Sequence, residues 1–494
     1  MSLFVHFEKN STTPLHKQLF IAIKEAITSG KLTPGERLPS TRDMAEDLDI
    51  ARNTVSSAYD QLMSEGLIES VPGSGMYICD QGTKQIGQSE TTTSASDYPL
   101  TRFAESIADE QAISNAFMSY RLPRRQDLPT SKWHQLVQKH SKLERNSAPE
   151  WCSDVLGYVP LREALAHYLE VSRGLVCKKE QLVLFPSRRE ALDFWCKVLI
   201  EPGQTIAMER PGNPMVRRLF KACDINVCAI DVSSGYLTAQ QLVEHEDVKA
   251  IYLTPSQQAI SGVIMPAEER RHLVEWAQDR KAIIIEDDFD CEFVMQQERL
   301  QPAIQSFDRG GNVVYIGSFA NSLAPLTEQA YSLVPESVLR TTRRAREIFA
   351  GCAARLDEKV LAEFLKSGDF FHYVRKLRGT YARRRSRLEQ EIKASSRRIT
   401  IQAHHTSTSL LVELDTKLLP DQVELCASKA GLPVISCTPF YGNAANKNQF
   451  LLSYCRVPES DAKEAVSLFE AYLNECEINS VSAIFSKIGR MSFG

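Results

Sequence analysis

Val313-Val314-Tyr315-Ile316-Gly317-Ser318-Phe319-Ala320-Asn321-Ser322-Leu323-Ala324-Pro325 reads as a short apolar run that empties into a small polar loop. Four β-branched and aromatic residues closed by a turn signal predict a strand buried on both faces. Open α/β sheets hold their ligands in loops at the carboxyl ends of such strands. This loop offers serines and an asparagine, with no lysine, cysteine, histidine or acid.

The flanking sequence repeats the pattern. Apolar runs stand at 182–184, 205–208, 250–253 and 282–285, and helix-period segments at 161–168, 189–199, 266–280, 357–365 and 373–392. Strands alternating with helices predict a parallel sheet covered on both faces. The run 282–285 empties into Glu286-Asp287-Asp288-Phe289-Asp290. Four carboxylates at a strand end each need a cation, water or partner. Successive side chains alternate in direction there, which favours one acid holding one ligand over a magnesium cluster.

At 494 residues the chain exceeds one ordinary domain, and its 43% hydrophobic and 24% charged residues are those of a globular protein. No apolar run approaches the roughly 18 residues of a membrane span, and MSLFVHFEKN lacks the layout of a signal peptide. Both point to a cytoplasmic protein with no membrane partner. The twelve cysteines form no C-x-x-C pair, the nearest being Cys223 and Cys228, which suits reduced thiols better than a zinc ribbon or a disulfide framework.

Residues 1–79 read as three helices and a hairpin. Thr13 and Pro14 suit a helix start, and Leu15, Leu19, Ile23, Ala26 and Ile27 recur at helical spacing. Ser40 is positioned to cap a second helix, and Val55, Ala58, Tyr59, Leu62 and Met63 line one face of a third. Pro72-Gly73-Ser74-Gly75 then forms the tip of a β-wing. This is the layout of a winged helix-turn-helix. Arg52, Asn53, Thr54, Ser56 and Ser57 give the start of the third helix a polar face suited to base edges and phosphates. The charge balance is unhelpful: residues 1–80 hold seven Lys/Arg against eleven Asp/Glu, so DNA binding requires the cations to gather on one face. A generic helical interaction module is the competing reading. From Asp80 to Asp97 the chain is polar and Ser/Thr-rich, as a flexible connector would be.

Two resemblances sharpen this. Leu38-Pro39-Ser40-Thr41-Arg42, Ala51-Arg52-Asn53-Thr54-Val55 and the wing resemble the GntR-type DNA-binding domain across its length. That resemblance implies that Arg42, Arg52 and Thr54 meet DNA, beside the Asn53 of the polar face, with Gly73 and Ser74 near its backbone; Ala51 departs from the usual serine. From about Leu122 to Ala471, LGYVPLREA, ERPG, YLTPSQQ, IEDDFD and LAEF follow in the order found in fold-type I aminotransferases. Together the two modules resemble the MocR subfamily of GntR-type transcriptional regulators. The implied fold class is an N-terminal winged helix-turn-helix joined to an α/β domain of the pyridoxal phosphate (PLP)-dependent transferase type. The expected boundaries are 1–79, a linker over 80–120, the aminotransferase-like domain over 121–480 and a C-terminal tail over 481–494.

The resemblance also says what the opening loop should contain. In the family, PLP is bound as an imine to a lysine in G-[ST]-F-S-K-x-L-A-P; here that position is Asn321, which has no nucleophilic amine. The phosphate-neutralising arginine seven residues later is Glu328. A carboxylate about 4 Å from a phosphate oxygen repels it by about 1 kcal/mol in water and about 4 at an effective dielectric of 20. Phe289 stands for a tyrosine that bonds the cofactor's ring oxygen, Asn213 for a stacking aromatic, Ser187 for a phosphate-cradling glycine and Leu451 for a substrate-binding arginine. Asp287, which by resemblance pairs with the pyridine nitrogen, and Ser318 remain. The expectation is therefore a degenerate cofactor pocket with no covalent PLP, no transaminase activity and no catalytic or metal-binding residue. A regulator that binds operator DNA as a homodimer is implied, its large domain binding a small-molecule effector or serving only as a dimerisation scaffold. The alternatives are a regulator that senses PLP noncovalently and a PLP-dependent aminotransferase with a regulatory DNA-binding domain.

Three further features have ordinary readings. His404-His405 point in different directions as neighbours, the basic run from Arg375 to Arg387 reads as a solvated helix face, and Arg188-Arg189 open a helix where an anion could sit.

Overall fold

The computed structural model describes residues 13–79, 101–108, 119–146, 154–232, 235–293, 301–349, 355–402, 406, 408–442 and 448–491. The chain divides into two compact units, Met1–Leu100 and Thr101–Gly494. Among the described residues no helix is long and apolar enough to cross a membrane, and no disulfide joins the described cysteines.

In the first unit α1 (Leu15–Thr28) packs on α3 (Arg52–Ser64), with α2 (Thr41–Asp47) between them in sequence. Leu19 and Ile23 of α1 and Val55, Ala58, Tyr59 and Leu62 of α3 are fully buried, as their helical spacing requires. The Tyr59 hydroxyl donates to the Pro39 carbonyl at 3.0 Å, tying α3 to the segment before α2. Ser40 caps α2 by accepting from the Asp43 amide. Thr13 does not cap α1: Pro14 holds the cap position in an extended conformation, and its carbonyl accepts from the amides of Lys17 and Gln18. A three-stranded antiparallel sheet, in the order β1 (Arg37–Leu38), β3 (Gly75–Ile78), β2 (Ile68–Val71), completes a winged helix-turn-helix.

The second unit is built on seven strands: β4 (Leu182–Phe185), β5 (Thr205–Arg210), β6 (Asn226–Asp231), β7 (Val248–Leu253), β8 (Ile283–Asp288), β9 (Val313–Ser318) and β10 (Ala330–Leu333). Their order is β4-β10-β9-β8-β7-β5-β6. Every residue of β9 is buried, Val314 and Ile316 entering one apolar cluster while Val313 and Tyr315 enter two others. Helices Val159–Arg173, Arg188–Leu199, Ala267–Arg280, Leu356–Lys366 and Asp369–Ser395 stand where the sequence predicts helices. A smaller antiparallel sheet, β11 (Ile399–Ile401), β12 (Leu410–Leu414), β14 (Gln449–Leu452) and β13 (Val434–Ser436), lies in the C-terminal part.

Two expectations about the large sheet need correction. The large sheet is not wholly parallel: β10 runs antiparallel between β9 and β4. Strands β6 and β10 were not foreseen; β6 is half exposed, and β10 has four residues. The 80–120 linker lies outside the described residues except for 101–108 and 119–120, and Arg102–Ala108 within it is a helix. The presumed tail from 481 continues the helix Ala462–Met491, with 492–494 outside the described residues.

Cross-strand pairing also explains the glycine of the opening loop. Gly317 lies opposite Tyr331 in the β9–β10 ladder, and a Cβ at Gly317 would fall 2.3 Å from the ring carbon Cζ. Overpacking of this kind costs about 1–3 kcal/mol. Gly317→Ala should lower unfolding free energy by that amount in chemical denaturation, and the loss should shrink in a Tyr331→Ala background. An additive double variant would show that the two residues do not collide.

Candidate functional site

Because β10 is antiparallel to both its neighbours, β4, β9, β8, β7 and β5 all run the same way and bring their carboxyl ends to one edge. Residues of the four acidic positions arrive there on and just after β8. Glu286, Asp287, Asp288 and Asp290 are 0–2% exposed, so each needs its own partner. Glu286 accepts from the amides of Ile304 and Gln305 at 2.8 and 2.9 Å. Asp288 pairs with Arg173 at 2.7 Å and accepts from the Tyr315 hydroxyl at 2.7 Å. Asp287 accepts from the Tyr252 hydroxyl and from Arg188 Nη1, the latter at 3.1 Å. Asp290 pairs with Arg121 at 2.8 Å and accepts from Asn321 Nδ2 at 2.5 Å. Burial raises the carboxyls of Asp287 and Asp290, and the guanidiniums of Arg188 and Arg121 respectively pull them back. Acids distributed in this way leave no shared metal cage: no group of His, Cys, Asp or Glu able to hold a metal occurs among the described residues. His404 and His405 lie outside them.

Asn321 follows β9 in the short helix Ala320–Leu323, and its amide also donates to the Phe289 carbonyl at 3.2 Å. Two cations lie over the Phe289 ring, with Arg121 at 4.7 Å and Arg188 at 4.9 Å from its centroid. Ser318 accepts from the Ala320 amide at 3.1 Å. Two other positions act as helix caps. Ser187 accepts from the Glu190 amide at the start of Arg188–Leu199, and Asn213 accepts from the Met215 amide at the start of Pro214–Ala222. Glu328 is exposed on the same cavity. Ser187, Asn213, Phe289, Ser318, Asn321 and Glu328 all line that cavity, which has a volume of about 680 Å³. Asp287 stands behind it, reached through Arg188. Leu451 is separate: it is fully buried in an apolar cluster with Leu411, Ile435 and Phe440.

Arg121 and Tyr252 are the residues that sequence reading missed. Arg121 meets an acid 169 positions away and Tyr252 one 35 positions away, so no local spacing announces either. The basic run is more structural than its composition suggests. Arg384 binds Asp127 through two contacts of 2.7 and 2.8 Å, Arg378 donates to the Glu292 carbonyl, and Arg383, Arg385 and Arg387 each pair with a glutamate.

In the winged helix, Arg52 and Asn53 are exposed in the first turn of α3, with Thr54 half-buried beside them. Arg52 Nε donates to Thr41 Oγ1 at 3.3 Å, which sets the start of α3 against the start of α2. Arg42 is exposed and pairs with Glu46 at 3.2 Å. At the wing, Gly73 has φ +77° and is exposed, and the Ser74 and Tyr77 hydroxyls are 2.6 Å apart. Arg37 is a further exposed cation there, close enough that a Cβ on Gly75 would fall 2.8 Å from its Nε.

Residues 15–78 match the family described as bacterial regulatory proteins, gntR family, and residues 120–468 match aminotransferase class I and II. The chain is 28% identical over 469 residues to the uncharacterized HTH-type transcriptional regulator YdeL of Bacillus subtilis (strain 168), covering 93% of this chain and 96% of that protein. It is 29% identical over 383 residues to the probable rhizopine catabolism regulatory protein MocR of Rhizobium meliloti, covering 76% and 77%. The HTH-type pyridoxine biosynthesis transcriptional regulator PdxR of Corynebacterium glutamicum is 28% identical, covering 76% and 78%. Among solved structures, kynurenine aminotransferase from Pyrococcus horikoshii superposes with a TM-score of 0.65 at 19% identity, over 76% of this chain and 97% of that one. The last likeness establishes the fold.

Glu209, at the end of β5, gives the site a measurable electrostatic signature. It is 4% exposed, its Oε2 accepts from the Thr254 amide and hydroxyl, and its Oε1 has no partner. Burial raises its pKa to about 7. A carboxyl raised in the folded state stabilises most below its unfolded value and loses that contribution as pH rises through the folded one. At about 1.4 kcal/mol per pKa unit, unfolding free energy should fall by roughly 2–3 kcal/mol on this account between pH 4.5 and 7. Glu209→Gln, which imitates the protonated acid, should flatten the decline by that amount in denaturation curves taken across the window. An unchanged slope would show that Glu209 is ionised throughout.

Proposed function

The chain belongs to the aminotransferase class I and II family through residues 120–468 and is a MocR-type regulator by the gntR-family domain before it; from that premise we propose a transcriptional regulator whose large domain pairs two copies and reads an effector without transaminase chemistry. The gntR-family domain binds DNA. Its exposed Arg42, Arg52 and Asn53 supply donors for phosphates and base edges. Pairing two copies about a twofold axis matches a paired operator half-site. Operator DNA as the partner places the protein in the cytoplasm.

Asn321 carries the non-enzymatic reading. Where the resemblance puts the imine-forming lysine, its amide is committed to Asp290 and to the Phe289 carbonyl. The other groups fit PLP no better. Arg188 already supplies the cation that Asp287 would draw from a pyridinium, Glu328 opposes a phosphate, Asn213 caps a helix, and Phe289 has no hydroxyl. Retention of Asp287 is explained by its internal partners, Arg188 and Tyr252, with no cofactor required.

Two measurements test this. The full-length protein incubated with PLP should show no visible absorbance band lost on borohydride reduction. Asn321→Lys should remain colourless too, because Arg188 and Glu328 stay in place; a yellow Asn321→Lys protein would show that lysine loss alone disabled the site. For DNA, Arg52→Ala should weaken binding to the promoter beside its own gene by about 1–3 kcal/mol at matched salt. Affinity unchanged by Arg52→Ala would remove α3 as the recognition helix.

A further inference from the structure

Two cysteine thiols meet in the C-terminal part of the large domain, and neither lines the 680 Å³ cavity. Cys426 is buried on helix Pro420–Lys429, and Cys476 is half-buried in the middle of helix Ala462–Met491. Their sulfurs lie 3.2 Å apart, although the residues stand 50 positions apart in the chain. Cys426 Sγ also donates to the Tyr472 carbonyl at 3.6 Å, one turn before Cys476. The contact is held from both sides. Asn474 and Glu477, which flank Cys476, both accept from Arg398, at 2.7 and 2.8 Å, and Glu477 accepts from the Thr416 hydroxyl at 2.7 Å. On the facing helix Val423 and Ala427 are fully buried beside Cys426, and Glu424 accepts from the Ser436 amide at 2.7 Å, which ties that helix to β13.

Thiols fixed in this way have about 1 Å to close before they reach the roughly 2.05 Å of a disulfide. We propose that Cys426 and Cys476 form a modification site for hydroperoxides, whose two-electron oxidation joins them in a disulfide that staples helix Ala462–Met491 to helix Pro420–Lys429. The two sulfurs have different parts. Cys476 has the solvent-facing side, so it meets the oxidant first. Burial pushes the Cys426 thiol up to about 12, which keeps it protonated and makes it the second sulfur. In the first step the Cys476 thiolate attacks one peroxide oxygen. An S–O bond forms, the O–O bond breaks, and the departing hydroxide takes up the proton that the Cys476 thiol gave up. The Cys426 sulfur then attacks the sulfur of this sulfenic acid. An S–S bond forms, the S–O bond breaks, and the leaving hydroxide carries off the Cys426 proton as water. Two thiols and one hydrogen peroxide thus give one disulfide and two waters.

The test uses the full-length protein, fully reduced and then treated with a small excess of hydrogen peroxide. Alkylation and peptide mapping by mass spectrometry should find a Cys426–Cys476 linked peptide within one chain, lost on treatment with dithiothreitol and absent from Cys476→Ser. In Cys426→Ala the reaction should stop at the sulfenic acid, trapped on Cys476 by dimedone. Closing a long loop restricts the unfolded chain, so the oxidised protein should melt at a higher temperature than the reduced one. That rise should be absent in Cys476→Ser. The wild-type map and Cys476→Ser decide the matter even where Cys426→Ala fails to fold. Cys476 recovered as an unlinked thiol or sulfonic acid, a linkage of either residue to another cysteine, or a melting temperature unchanged or lowered by the bond would each overturn the proposal.

Discussion

Burying Glu286, Asp287, Asp288 and Asp290 at the end of one strand obliges the rest of the domain to bring each a partner. An unpaired interior carboxylate costs several kcal/mol, so the fold is stable only if these obligations are met one by one. They are met from four directions. Glu286 is held by two backbone amides of a 3-10 turn, Asp288 by Arg173 and Tyr315, Asp287 by Arg188 and Tyr252, and Asp290 by Arg121 and Asn321. These partners come from the turn at Arg121, the helices before β4 and β5, β7, the 3-10 turn Ile304–Phe307, β9 and the short helix after it, and so the acid cluster fixes the relative placement of most of the sheet's carboxyl edge.

The same constraint governs Asp287. In the enzymes this domain resembles, the acid at position 287 is balanced by the cofactor's ring nitrogen. A buried acid at that position with no pyridinium beside it needs another cation. Here Arg188 supplies it, at 3.1 Å, and both Arg188 and Arg121 lie over the Phe289 ring. Phenylalanine in place of tyrosine suits this role, since a ring stacked by two guanidiniums needs a π face and no hydroxyl. The substitutions at 289 and 321 thus fit one another: Asn321 donates both to the Phe289 carbonyl and to Asp290, and Asp290 in turn anchors Arg121.

What the sequence made legible was local. The winged helix was readable because its caps, its glycine-bearing turns and its helical faces are short-range signals; even there Pro14 displaced Thr13 from the cap, since the extended proline carbonyl already closes the first turn. In the large domain the periodic helices and the strands β8 and β9 stood out, whereas β6 hides among half-exposed residues and β10 inserts against the parallel grain with four. The cofactor-site positions came from motif resemblance and share one cavity, except Asp287, which stands behind it, and Leu451, which is buried elsewhere. The ion pairs of Arg121 and Arg188 span 169 and 99 residues, and only the tertiary fold supplies them.

The loop after β9 is held in shape almost entirely by its own packing. Gly317 has no room for a side chain beneath Tyr331. Phe319 is fully buried among Tyr168, Tyr331 and Phe370. Ser318 fixes the Ala320 amide, Ser322 returns its hydroxyl to the Phe319 carbonyl, and Tyr373 donates to the Ser322 carbonyl. Leu323 closes the core below them. Each of these residues answers to packing or backbone satisfaction, and changing any one would disturb the strand that feeds the loop. Asn321 is half-buried on the cavity wall, and its amide answers to the Phe289 carbonyl and to Asp290, which ties the loop to the acidic end of β8.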